Sequence, residues 1–62
     1  MTPKPEDRYT HENGNKYEVI LVANQHSDRE DYPITVVYSG ENGKIWSKTL
    51  EDFLLKMTKE SA

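Results

Sequence analysis

The residues of this chain able to do chemistry are few, and most sit in one polar stretch. His11 and His26 are the two histidines, and Glu12, Asp28, Glu30 and Asp31 stand near them in sequence. Those are the residue types of a metal site or of an acid–base pair. Zinc, however, takes several nitrogen, sulfur or carboxylate ligands at characteristic spacings, and no such spacing occurs here. There is no cysteine to add a thiolate. No metal and no cofactor is expected. Ser27 follows His26 directly, but a nucleophile, a base and an orienting acid must meet in space, and neighbours on one loop rarely do. The acids of Asp28-Arg29-Glu30-Asp31 lack the apolar surroundings that would separate two carboxyl pKa values for acid–base work. No glycine-rich phosphate loop is present. A non-enzymatic protein is expected.

What remains is binding chemistry. Trp46, the one tryptophan, lies between Lys44 and Lys48. With Tyr32, Tyr9 and the charged stretch holding Asp28, Glu30 and Asp31, it makes a candidate protein-binding surface, because aromatics anchor interfaces and charges steer approach. The alternative is a single-stranded nucleic-acid site, where bases stack on an aromatic beside lysines. Net charge weighs against it. Residues 1–31 carry seven acids and four bases, residues 32–62 four of each, and there are only two arginines, Arg8 and Arg29. Phosphate binding rests on many basic contacts. A protein partner of unknown identity is therefore expected, nucleic acid less so.

Sixty-two residues allow one domain. A chain of this length buries only about 60% of its unfolded surface, so its stability is small and self-association into a weak homodimer is an alternative to a monomer. No apolar run is long enough to span a membrane, and the first seven residues lack the apolar core of a secretory signal. A soluble, cytoplasmic protein is expected.

The elements that must position these residues are mainly strands. Residues 1–7 hold two prolines and read as a flexible tail; 8–57 read as the domain; 58–62 read as a frayed end. Tyr9-Thr10-His11 predicts a short strand, followed by the Asn13-Gly14 turn signal. Lys16 to Ala23, KYEVILVA, alternates in its first half and is apolar throughout its second, which predicts a strand that ends buried on both faces. Residues 24–31 read as a loop, and Tyr32-Pro33 opens a strand over Ile34 to Ser39. A second turn at Asn42-Gly43 leads into a strand over Lys44 to Lys48. Thr49 then suits a helix N-cap, with Glu51 and Asp52 in the first turn and Leu50, Phe53, Leu54 and Met57 on one stripe. No internal repeat is present. The fold class is mainly β: a small SH3-like barrel or a twisted antiparallel meander of four to five strands with a short C-terminal helix.

The direction of Trp46 depends on the second turn. A two-residue Asn42-Gly43 turn pairs Ser39 with Trp46, puts Ile34, Val36, Tyr38 and Ile45 on the core face, and leaves Trp46 on the other face with Thr35 and Val37. A three-residue turn slips the register by one and sets Trp46 beside Tyr38. The Asn-Gly preference favours the first. In that arrangement Trp46 is covered in part by the helix stripe or stands half-exposed between its lysines.

Tyr9-x-His11, Gly14-x-x-Tyr17-x-Val19, Ala23, His26-Ser27, Val36-Val37-Tyr38, Trp46, Leu50 and Phe53, in that order, resemble an uncharacterised domain-of-unknown-function family of short bacterial and phage proteins. The resemblance spans Arg8 to Leu55. It implies a small SH3-like β-barrel and supplies no activity. An arginine-proline pair found in relatives is replaced here by Lys48-Thr49, which better fits a helix cap. Association with phage accessory proteins makes a host-directed role an expectation by analogy.

Overall fold

In the computed structural model, which describes residues 2–60, five strands form one antiparallel sheet. The strands are β1 (Arg8–His11), β2 (Lys16–Ala23), β3 (Thr35–Gly40), β4 (Ile45–Thr49) and β5 (Met57–Lys59), with helix α1 (Leu50–Lys56) between β4 and β5. Their spatial order is β4-β3-β2-β1-β5. Of the two arrangements expected, the sheet is the twisted meander: β4 and β5 are its edges and do not pair to close a barrel. The helix links one edge to the other.

Both hairpins are made the same way, and not as two-residue turns. Glu12-Asn13-Gly14 and Glu41-Asn42-Gly43 are three-residue loops. In each the glycine N–H donates back three residues, to the carbonyl of His11 (2.8 Å) or Gly40 (3.0 Å). The strands are then closed by His11 N–H to Asn15 O at 2.8 Å and Gly40 N–H to Lys44 O at 3.0 Å. Gly14 and Gly43 sit at φ 93° and 81°, the left-handed position that ends a type I turn with a bulge. Each asparagine Oδ1 accepts the N–H two residues on, from Asn15 at 2.9 Å and Lys44 at 3.1 Å. A Cβ at Gly43 would meet nothing within 4 Å, so Gly43→Ala isolates the backbone cost. We expect it to lower stability by about 1 kcal/mol, with Gly43→Asn costing less because asparagine tolerates the left-handed region. Urea midpoints of the two variants check this.

The three-residue loop corrects the register. Ser39 pairs with Ile45, Tyr38 with Trp46, Val37 with Ser47 and Val36 with Lys48. Trp46, expected on the face with Thr35 and Val37, therefore shares the inner face with Tyr38 and Val36. Ile45, expected in the core, points outward and is 65% exposed.

A bulge explains the apolar run of β2. Pairing moves from Val19↔Tyr38 to Leu21↔Val37, leaving Ile20 as the extra residue. Tyr17, Val19 and Val22 then face inward, while Leu21 and Ala23 face out. The second half of β2 is not buried on both faces as its composition suggested; Ile20 and Leu21 are both exposed.

Tyr9, Val19, Val36, Tyr38, Phe53 and Met57 form the core. Thr49 caps α1 as expected, its hydroxyl accepting from the Asp52 N–H at 3.3 Å. Phe53 and Met57 of the helix stripe are buried and Leu50 half-buried, but Leu54 is exposed. The chain after the helix does not fray at Thr58. Met57–Lys59 pairs with β1, Tyr9 opposite Lys59 and His11 opposite Met57. The N-terminal segment also packs: Pro3 is fully buried, and Glu6 and Asp7 exchange backbone hydrogen bonds with Val19, each 2.8 Å. Met1, Ser61 and Ala62 of the expected tails lie outside the described residues.

Burial raises the phenols of Tyr9 and Tyr38 above the ordinary 10.0, helped at Tyr9 by the charge of Asp7 and at Tyr38 by Tyr17. The folded state thus holds these protons more tightly than the unfolded chain. Their contribution to stability is complete below pH 10 and is lost as pH rises through the raised folded values. Urea midpoints should fall as the solution is made more alkaline than pH 10, and Tyr38→Phe should make that fall shallower.

Candidate interaction surface

The structure separates the residues that sequence reasoning grouped into one surface. Tyr9 is in the core, its ring edge-on to Phe53 with centroids 4.8 Å apart. It offers nothing to a partner. A surface role was wrong for Tyr9 because β1 is flanked on both sides, by β2 and β5, and its inward face is roofed by α1. Tyr32 is exposed on the loop between β2 and β3, where the Arg29 guanidinium lies 5.5 Å from its ring centroid. Asp28, Glu30 and Asp31 are exposed on the same loop. That loop joins the strand ends at Ala23↔Thr35, whereas the two Asn-Gly turns lie at the other end, by Tyr17↔Gly40. Tyr32 lines a hollow with Val22, Asn24, Gln25, His26 and Ser27. Trp46 lines a different hollow.

The Trp46 hollow, about 300 Å³, lies between the two hairpins, with Asn15 and Lys16 from one and Gly40, Glu41 and Asn42 from the other. Tyr17 is part of its lining. The ring of Tyr17 lies so close to Gly40 that a Cβ there would come within 3.1 Å of it. From Tyr17 a chain of aromatic contacts runs inward, to Tyr38 at 5.1 Å and on to Phe53 at 5.4 Å. Phe53 fills the centre of the inner face, which leaves Trp46, on the edge strand, at its rim and 49% exposed.

The two histidines hold no ligand set. His11 Nδ1 accepts the Asn13 N–H at 3.0 Å, a structural part of the first turn. Among the described residues no group of three or more His, Asp or Glu is placed to hold a metal.

The backbone of β4 adds what side-chain reasoning missed. Antiparallel pairs alternate between residues bonded to the neighbour and residues whose N–H and C=O point away. Gly40 N–H to Lys44 O and Leu50 N–H to Ile34 O, at 3.0 and 2.8 Å, mark the even-numbered residues of β4 as those bonded to β3. Ile45 and Ser47 consequently aim their N–H and C=O groups out of the open edge. Lys44, Trp46 and Lys48 project on the inner side of that edge, and Ile45 on the outer side. The other cations of the strands are engaged, Arg8 with Glu18, Lys16 with Glu60 and Lys59 with Asp7, as is Lys56 of the helix with Glu12, at 3.6–3.8 Å. Lys44 and Lys48 have no carboxylate within 4.0 Å among the described residues.

With this geometry established, the family model described as "Protein of unknown function (DUF1653)" matches residues 7–62, nearly the whole chain. The chain belongs to the DUF1653 family. No curated protein and no solved structure matches it. The resemblance to a domain-of-unknown-function family read from the sequence agrees with this match. Within the DUF1653 match, Tyr9, Val19, Val36, Tyr38 and Phe53 of the resembling pattern are core residues, and Trp46 stands at the open edge.

Proposed function

We propose that this domain is a small non-enzymatic protein-interaction module that recognises its partner through the open edge of β4, centred on Trp46. The observation that carries this reading is one short edge strand with large apolar side chains exposed on both sides, Trp46 inward and Ile45 outward, beside outward-pointing backbone groups. An edge strand presents unpaired N–H and C=O groups that can pair with another chain. Exposed aromatics beside pairing-competent backbone are the ingredients of strand addition. The domain works in the cytoplasm on a host or phage protein whose activity it modulates; this part of the reading rests on the small bacterial and phage proteins it resembles. Among the described residues no helix is long and apolar enough to cross a membrane.

A second reading, single-stranded nucleic-acid binding, draws support from Lys44, Trp46 and Lys48 standing on one side of the edge without carboxylate partners. One experiment separates the two. The tagged domain is incubated in bacterial lysate with and without nuclease, and captured proteins are identified by mass spectrometry. A stoichiometric protein retained after nuclease is expected. Partners that vanish with nuclease, together with quenching of Trp46 by a single-stranded oligonucleotide that disappears in moderate salt, would overturn the protein reading.

A further inference from the structure

We infer that the partner enters β4 as an extended, acidic strand, antiparallel to it, with an apolar residue opposite Trp46 and a carboxylate on each side of that residue, opposite Lys44 and Lys48. The inference rests on the interaction-module reading and names the chemistry of the ligand.

Three features of the edge carry the pattern, and the antiparallel direction follows the other pairs of this sheet and the greater stability of antiparallel pairing. The outward N–H and C=O groups of Ile45 and Ser47 bond a chain only if it is extended and in register. Side chains of a strand added there alternate with period two, so those sharing a side with Lys44, Trp46 and Lys48 occupy every second position of the partner. The run from Asn42 to Thr49 carries two lysines and no acid, and those lysines lack carboxylates of their own. Opposite charges across a strand pair stabilise it and like charges oppose it. Read in the partner's own direction, the residues facing Lys48, Ser47, Trp46, Ile45 and Lys44 are acidic, free, apolar, apolar and acidic.

The same pattern argues against a second copy as the occupant. Two β4 edges paired about Trp46 place Lys44 of one chain across from Lys48 of the other, and this at both ends. Lysines on an edge are a common means of preventing such self-pairing.

The probe is a capped peptide with the core Glu-Thr-Phe-Val-Glu and two threonines at each end, titrated into the intact domain while Trp46 fluorescence is followed. Its charge-swapped twin has the core Lys-Thr-Phe-Val-Lys. Saturable binding of the acidic peptide is expected, with the twin about tenfold weaker or worse. Ser47→Pro removes an N–H that points away from β3, where proline is tolerated on an edge. It should keep the fold by circular dichroism and weaken the acidic peptide about tenfold, the cost of leaving its carbonyl unpartnered. Lys44→Glu/Lys48→Glu, a surface change, should reverse the preference between the peptides. Equal binding of both peptides, or a double variant that keeps the acidic preference, overturns the inference. So does acidic-peptide binding that Ser47→Pro leaves unchanged. A concentration-dependent dimer seen by sedimentation and abolished by Ser47→Pro would replace the acidic strand with a second copy. Absence of saturable binding by the wild-type domain also overturns the inference. It leaves the module reading intact if that domain still captures a nuclease-resistant partner through Trp46.

Discussion

Phe53→Ala should leave most of the domain unfolded at room temperature. Phe53 is fully buried and joins two halves of the core, meeting Tyr9 on β1 at 4.8 Å and Tyr38 on β3 at 5.4 Å. Truncating a buried phenylalanine costs about 3–5 kcal/mol, through lost burial and through the cavity left behind. A single core of this size rarely supplies more than about 3–5 kcal/mol in total. Loss of this one ring therefore removes most of the margin. Phe53 is also the buried residue of the short helix that links the two sheet edges, so β5 loses its tether with the ring. Leu55→Ala is the control: Leu55, two residues on in the same helix, is 76% exposed, and its truncation should stay within about 0.5 kcal/mol. Urea unfolding followed by circular dichroism compares them. Similar midpoints for the two variants would mean that the helix does not roof the core as described.

Trp46→Ala is expected to do the reverse, abolishing partner capture while leaving the fold. Its ring is half out at the rim, outside the buried core cluster, so stability should fall by about 1 kcal/mol at most, which is the ordinary effect of a partly exposed substitution. Tryptophan at the centre of an interface commonly carries about 2 kcal/mol or more, equivalent to a loss of about thirtyfold in affinity. Capture of the nuclease-resistant partner from lysate, quantified for wild type and variant at equal folded concentration, reads the difference. Retained capture by Trp46→Ala would move the surface elsewhere, first to Tyr32 and its acidic loop.

The sequence made much of the fold readable because local signals were strong. The limits of β2, the N-cap at Thr49 and both turn positions follow from alternation, a capping hydroxyl and Asn-Gly pairs. The register of β4 was not readable from the turn signal. Asn-Gly serves a two-residue turn and also the last two positions of a three-residue loop, and these differ by one residue of slip. That slip exchanged the sides of Ile45 and Trp46. The bulge at Ile20 made a run with an exposed side look like a doubly buried strand. β5 was missed because Met57-Thr58-Lys59 is too short to show a period and gains its pairing from β1, at the far end of the chain. Tyr9 was misplaced for the same reason, since its burial comes from β5 and α1 rather than from its own neighbours. Trp46, Lys44 and Lys48 were found as a group from spacing alone. The free backbone beside them is a property of sheet order, which spacing does not encode.

The most direct test of the β4 surface is amide hydrogen exchange at four neighbouring residues. In the free domain Trp46 and Lys48, bonded to β3, should be protected, while Ile45 and Ser47 exchange rapidly. On adding the captured partner, Ile45 and Ser47 should become protected while Trp46 and Lys48 change little. Protection of Ile45 and Ser47 in the free monomer, or rapid exchange there in the complex, would contradict recognition through the open edge of β4.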